Sequence, residues 1–135
     1  MNNWQLRKEL LHLNKKEYGS FGESRAVEYL DNKNYEVLEQ NFRCRIGEID
    51  IIAKDKENLV FIEVKTRSSI YYGLPGESVN FRKQQTIGRC AKIYLVSKKK
   101  YKDINCRFDV IEVMTECGKI GNINHYINAY QPRMF

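Results

Sequence analysis

Hydrophobic residues along this chain recur at helical spacing in three stretches and in the blocks or alternation of strands in four others. Trp4, Leu6, Leu10, Leu11 and Leu13 predict a short N-terminal helix or arm within residues 1–18. Asn14 to Gly19 is too polar for a core, and Ser20-Phe21-Gly22-Glu23 then has the S-x-x-E form of a capping box. A helix is therefore expected to start at Ser20, with Ala26, Val27 and Leu30 as its apolar stripe and Asn32-Lys33-Asn34 as its end. Tyr35 to Phe42 alternates as a strand. Gly47 to Ala53 and Leu59 to Lys65 are Ile- and Val-rich runs parted by Lys54-Asp55-Lys56-Glu57-Asn58, which predicts an antiparallel hairpin. After a loop containing Gly73-Leu74-Pro75-Gly76, Asn80 is a plausible N-cap for a helix carrying Ile87, Ala91, Ile93, Tyr94 and Leu95. Phe108 to Val113 makes a further strand, and the tail from Ile120 to Phe135 fits a short strand or a helical turn equally. The order α-β-β-β-α-β predicts an α/β domain over residues 19–135, with a mixed central sheet flanked by helices.

The hairpin places acidic groups where a core is expected. With a loop from Asp55 to Asn58, Lys54 faces Leu59 and Asp50 falls opposite Glu63, so their Cβ atoms are expected about 4.5–5.5 Å apart. Lys65, two residues past Glu63, projects from the same face. A divalent metal held by Asp50 and Glu63, with Lys65 beside it, would relieve the repulsion of the paired carboxylates. The other reading is a solvated sheet face whose ion pairs are worth under about 1 kcal/mol. Against it, both acids are set in apolar runs that resemble strands covered on both faces.

Composition adds bounds. At 135 residues the chain is long enough for one core. It has no apolar run of about 18 residues and no signal-peptide stretch at its start, so no membrane partner and a cytoplasmic location are expected. Cys44, Cys90, Cys106 and Cys117 lack C-x-x-C spacing, and with only His12 and His125 beside them they read as reduced thiols rather than a zinc site. The net charge of +6 leans toward a polyanionic partner. The basic clusters at Lys15-Lys16, Arg82-Lys83 and Lys98 to Lys102 do not by themselves make a binding site.

These residues together resemble the PD-(D/E)xK nuclease superfamily and, within it, the YraN-like family of small bacterial proteins. The matching pieces are Gly22-Glu23, Asn41-Phe42-Arg43-Cys44-Arg45, Gly47-Glu48-Ile49-Asp50, Phe61 to Arg67, Val79-Asn80 with Lys83-Gln84, and Arg107-Phe108-Asp109-Val110. They occur in the family's order across about residues 19 to 130, and the segment up to Tyr18 is longer than expected for the family. The resemblance implies a restriction-endonuclease-like fold, similar to archaeal Holliday junction resolvases. It implies Asp50 and Glu63 as metal ligands, Lys65 as the catalytic lysine and Glu23 as a further acidic ligand.

On that resemblance Mg²⁺ or Mn²⁺ would be held by Asp50, Glu63 and the backbone carbonyl of Val64, with room for water and a phosphate oxygen. The metal would polarise the phosphate and lower the pKa of its water. A carboxylate-flanked Lys65 is expected to stay protonated and stabilise charge. Glu23 has a second reading, as the N3 residue of the capping box. Glu48 would join the acidic cluster or pair with Arg43 or Arg45. Lys83 and Gln84 at a helix start, and Arg67 past the catalytic strand, are candidates for phosphate contact, and Tyr71-Tyr72 for base stacking. Asp109 is expected to pair with Arg107 or a core partner, outside the site.

The first expectation is a metal-dependent DNA endonuclease whose substrates include branched DNA such as a Holliday junction. Resolving a junction takes two symmetric cuts and so a two-fold homodimer. The alternatives are a non-catalytic nucleic-acid- or partner-binding module that retains the fold, or a subunit silent until a partner supplies the DNA grip.

Overall fold

The structure, a computed structural model, describes residues 15–67, 79–115 and 122–134. Along them run α1 (Lys15–Asn32), β1 (Glu36–Cys44), β2 (Gly47–Asp55), β3 (Asn58–Arg67), α2 (Phe81–Ser97), a 3₁₀ turn (Lys99–Tyr101), β4 (Asn105–Met114) and β5 (Asn122–Tyr126). Among the described residues the strands form one sheet in the order β1-β2-β3-β4-β5. β3 and β4 are parallel, and the other neighbours are antiparallel. A parallel pair needs a crossover connection, and α2 lies within it.

Each helix buries one stripe against one face. Ala26 and Leu30 of α1 pack on Ile51, Ala53, Val60, Ile62, Ile111 and Val113. Ile87, Cys90, Ala91 and Tyr94 of α2, at i, i+3, i+4 and i+7, pack on the opposite face against Ile49, Ile52, Leu59, Phe61, Phe108 and Val110. β2 and β3 are thus covered on both sides, as their apolar runs predict. Asn80 is the N-cap of α2, its side chain accepting a hydrogen bond from the Lys83 amide at 2.9 Å. The tail resolves as strand β5, followed by a turn with Asn128 at φ 53°. Cys44, Cys90 and Cys106 are free thiols, with the first two in contact at 3.2 Å.

The first helix departs from expectation. It starts by Lys15, so Ser20 and Glu23 lie inside α1 and the capping-box reading of Glu23 falls. An S-x-x-E pattern caps a helix only where the preceding chain is not helical. Here Lys15-Lys16-Glu17-Tyr18 carries the helix back across the expected boundary, and an interior Gly19 costs only about 1 kcal/mol. Residues 1–14, the loop with Tyr71-Tyr72 and Gly73 to Gly76, and Cys117 lie outside the described residues.

On the α1 face, the expectation for Asp109 is met in full. The carboxylate is wholly buried and receives Arg107 Nε at 2.9 Å, His125 Nε2 at 2.7 Å and the Asn128 amide at 2.9 Å. Arg107 also reaches Asp55 at 3.0 Å and Tyr35 at 2.8 Å, while Tyr29 bonds the other His125 nitrogen at 3.0 Å. Against the raising effect of burial, His125 and Arg107 hold the Asp109 carboxyl below its ordinary value. With its lone pairs taken, this buried charge pins β4 to the hairpin tip, β5 and α1.

Gly22 sets the distance between α1 and the sheet. It is buried, and a Cβ there would collide with Thr66 Oγ1 and lie 3.1 Å from Thr66 Cβ. Gly22→Ala is expected to cost about 1–3 kcal/mol in urea denaturation. Thr66→Ala in the same chain is expected to recover most of that loss. An unchanged midpoint for Gly22→Ala alone would contradict this packing.

Candidate active site

The β2–β3 register is the expected one, with Ile51 paired to Ile62 and Lys54 to Leu59. The strands pair one residue further than predicted, Asp55 to Asn58, which leaves a two-residue turn in which Lys56 takes φ 54°. At the other end the register stops at Ile51–Ile62, so Asp50 and Glu63 occupy the first rung beyond it. There the Val64 amide donates to Asp50 Oδ2 at 2.8 Å. A side-chain carboxylate thus takes a backbone donor at the mouth of the split between β2 and β3.

The neighbouring strand shows how Asp50 comes to point there. Ile51 packs on the α1 side and Ile49 on the α2 side, although strictly alternating positions two apart would share a face. Their β1 partners, Gln40 and Phe42, flank Asn41, which adopts φ 55°. The β1–β2 ribbon turns over at Asn41 and Asp50. Asn visits this left-handed conformation more readily than most residues, and here the Asn41 side chain bonds Glu23 of α1. Sequence reading gave Asn41 no role; an Asn inside an alternating strand was the available signal.

Asp50 and Glu63 are both buried, and their side chains interact directly. Burial first, and then the Glu63 charge, push the Asp50 carboxyl up to about 7; the Val64 amide pulls it down and Glu23 adds a smaller upward push. Two ammonium groups converge on Glu63 Oε1: Lys65 at 3.4 Å and Lys83 from the first turn of α2 in closer contact. Burial lowers the Lys65 pKa, Glu63 opposes this and Lys83 reinforces it, with a net fall. Lys83 goes the other way: burial lowers its pKa, but Glu63, Lys65 and Asp50 together raise it, with a net rise. Burial and the second lysine thus oppose the Glu63 charge that favours the ammonium form of Lys65.

Glu23 stands at the edge of this group. Burial raises its pKa, the Asn41 hydrogen bond lowers it, and the charges of Glu48 and Glu63 raise it further. Glu48 pairs with Arg43 at 3.2 Å, one of the two arginines expected. Arg67 is turned away from solvent, 2.9 Å from buried Glu112 on β4. Gln84 donates to the Val79 carbonyl at 3.1 Å and lines a cavity of ≈ 450 Å³ with Tyr126 and Tyr130. The Tyr130 hydroxyl is sealed from solvent and has no hydrogen-bond partner among the described residues.

The donor set is made of oxygen. Asp50 and Glu63 supply carboxylates, and Val64 presents its carbonyl to the same edge as its amide, as extended residues do. Hard oxygen donors suit Mg²⁺ or Mn²⁺. Among the described residues no group of three or more His, Cys, Asp or Glu side chains is close enough to hold a metal. The side-chain donors are thus a pair, and Glu23 acts from outside it.

Mixed sheet, crossover helix and split-strand acid pair define an α/β protein with a restriction-endonuclease-like core. No helix among the described residues is long and apolar enough to cross a membrane. The chain belongs to the uncharacterised protein family UPF0102, the YraN-like family, whose model matches residues 22–113. It is 48% identical over 120 residues to a UPF0102 protein of Caldanaerobacter subterraneus subsp. tengcongensis, covering 87% of this chain and 98% of that one. UPF0102 proteins of Clostridium botulinum strains 657 and Hall are 53% and 54% identical over 104 residues, which is 77% of this chain and 85% of theirs.

Asp50 gives the site a pH signature. Its folded pKa of about 7 stands above its ordinary 3.8, so between these values the folded state keeps a proton that the unfolded chain has lost. Stability is then expected to fall as pH rises through this window, by at most about 1.4 kcal/mol per pH unit. Asp50→Asn keeps an oxygen for the Val64 amide and is expected to flatten the dependence. Urea denaturation in EDTA measures both; a wild-type profile as flat as the variant's would contradict the assignment.

Proposed function

We propose that this protein is a metal-dependent endonuclease that hydrolyses DNA phosphodiester bonds, with branched DNA among its substrates. The observation that carries the reading is the buried Asp50–Glu63 pair at the end of the β2–β3 ladder, with Lys65 and Lys83 both on Glu63. A structural ion pair needs one acid and one base. Here two acids are buried side by side, and burial first and then the Glu63 charge push Asp50 up to about 7, an arrangement better explained by a cation that they share.

In this reading Asp50, Glu63 and the Val64 carbonyl hold Mg²⁺ or Mn²⁺, which when bound polarises the phosphate and acidifies water. The Val64 amide fixes the Asp50 carboxylate at its 2.8 Å contact, so its orientation is set before substrate arrives. Lys65 sits beside Glu63 to meet negative charge gathering on the phosphate. Lys83 is partly exposed and belongs to the first turn of α2, so once released from Glu63 it can reach a phosphate oxygen there. Glu23, bonded to Asn41, adds negative potential that both Asp50 and Glu63 feel. Arg67 has little part in contacting DNA, since Glu112 already engages it.

A second reading keeps the fold without the chemistry: a nucleic-acid- or partner-binding module. The absence of a third side-chain ligand among the described residues favours it. Cleavage of a labelled four-way junction, linear duplex and single strand with Mg²⁺ or Mn²⁺ separates the two. Wild type is expected to cut only with metal, and Glu63→Ala and Lys65→Ala to lose at least about 100-fold in rate. Junction preference would support branched DNA as substrate. Binding without cutting, unchanged in both variants, would overturn the nuclease in favour of the module.

A further inference from the structure

The outward side of α2 carries chemistry that the acid pair does not use. Ile87, Gly88, Cys90, Ala91 and Tyr94 face inward, while Phe81, Arg82 and Arg89 project outward along about 12 Å of helix. With Arg133 of the C-terminal tail they line an open groove of ≈ 780 Å³. The tail can lie so close because Gly88 has no side chain: a Cβ there would stand 2.6 Å from the Arg133 carbonyl oxygen and 3.0 Å from Pro132. This approach brings a third guanidinium beside the two on the helix.

The groove is unbalanced in charge. No Asp or Glu lines it, and none of the three arginines has an ion-pair partner among the described residues. Such a concentration of positive charge fits a polyanion. Phe81 is 73% exposed among these arginines, a ring left largely uncovered by the described residues. A base inside a duplex already has both faces stacked, whereas an unpaired base gains about 1–3 kcal/mol from an aromatic platform. Lys83, next to Arg82 in the chain, turns inward to Glu63, so the groove's lining is one residue away from a side chain that contacts the acid pair.

We propose that the groove formed by Phe81, Arg82, Arg89 and Arg133 binds a single-stranded DNA segment, with Phe81 stacked on an unpaired base and the guanidiniums on its phosphates. The groove then selects DNA carrying unpaired nucleotides and leads its backbone to Glu63 and Asp50, a delivery role that rests on the nuclease reading.

The test is fluorescence anisotropy of a labelled oligothymidine and a blunt duplex with the full chain in EDTA, so that no cleavage enters. Wild type is expected to prefer the single strand. Phe81→Ala should weaken single-strand binding about 5- to 150-fold and leave duplex binding unchanged, while Phe81→Trp should retain it. Arg89→Ala with Arg133→Ala should lower the slope of log K against log salt by about 1.4. Single-strand affinity unchanged in Phe81→Ala, or a salt slope unchanged in the double variant, would overturn the groove assignment. Wild type that binds the single strand through the groove yet cuts no DNA when Mg²⁺ or Mn²⁺ is supplied would remove the nuclease reading and leave the groove standing.

Discussion

The site depends on one hydrogen bond, from the Val64 amide to the Asp50 carboxylate, made where the backbone ladder between β2 and β3 stops. A buried amide needs an acceptor, and here a side chain supplies it in place of the neighbouring strand. That substitution lets the strands part and brings the Asp50 carboxylate up to Glu63. Without it, either the ladder would continue and close the gap or Val64 would be left with an orphan donor. The left-handed Asn41 on the adjacent rung turns the ribbon so that Asp50 can make this bond.

Two helices then close the site from different sides of the sheet. On one face α1 is drawn close by Gly22 against Thr66, which sets Glu23 at the edge of the acid pair. On the other, α2 enters through its Asn80 cap and aims Lys83 at Glu63. The Arg107–Asp109–His125 network holds the hairpin tip, β4 and β5 in place from below. The charges divide accordingly: a satisfied, rigid cluster on the α1 face, and on the α2 face a crowded one that a cation would relieve.

Much of this was legible in the residues. The two apolar runs and the polar break between them specify the hairpin register, because a slip of one position would turn every core side chain outward. That register sets Asp50 level with Glu63 and Lys65 two residues beyond it, and the Val64 amide then holds the Asp50 carboxylate there. Non-local contacts were harder to read. Lys83 meets Glu63 only because the crossover lays α2 on that face, and Arg67 meets Glu112 only through the parallel β3–β4 pairing. The helix start was misread because Ser20 and Glu23 mimic a cap inside a helix that begins earlier. The left-handed Asn41 escaped notice because its conformation depends on two strands turning over together.

The central claim is that Asp50 and Glu63 share a divalent cation in place of a proton. Calorimetric titration of the protein with Mn²⁺ near pH 6, in buffers of different ionisation enthalpy, tests it most directly. The account predicts one saturable site whose filling releases close to one proton, with the release fading as pH passes about 7. Absence of saturable binding, or binding that releases no proton at that pH, would contradict it.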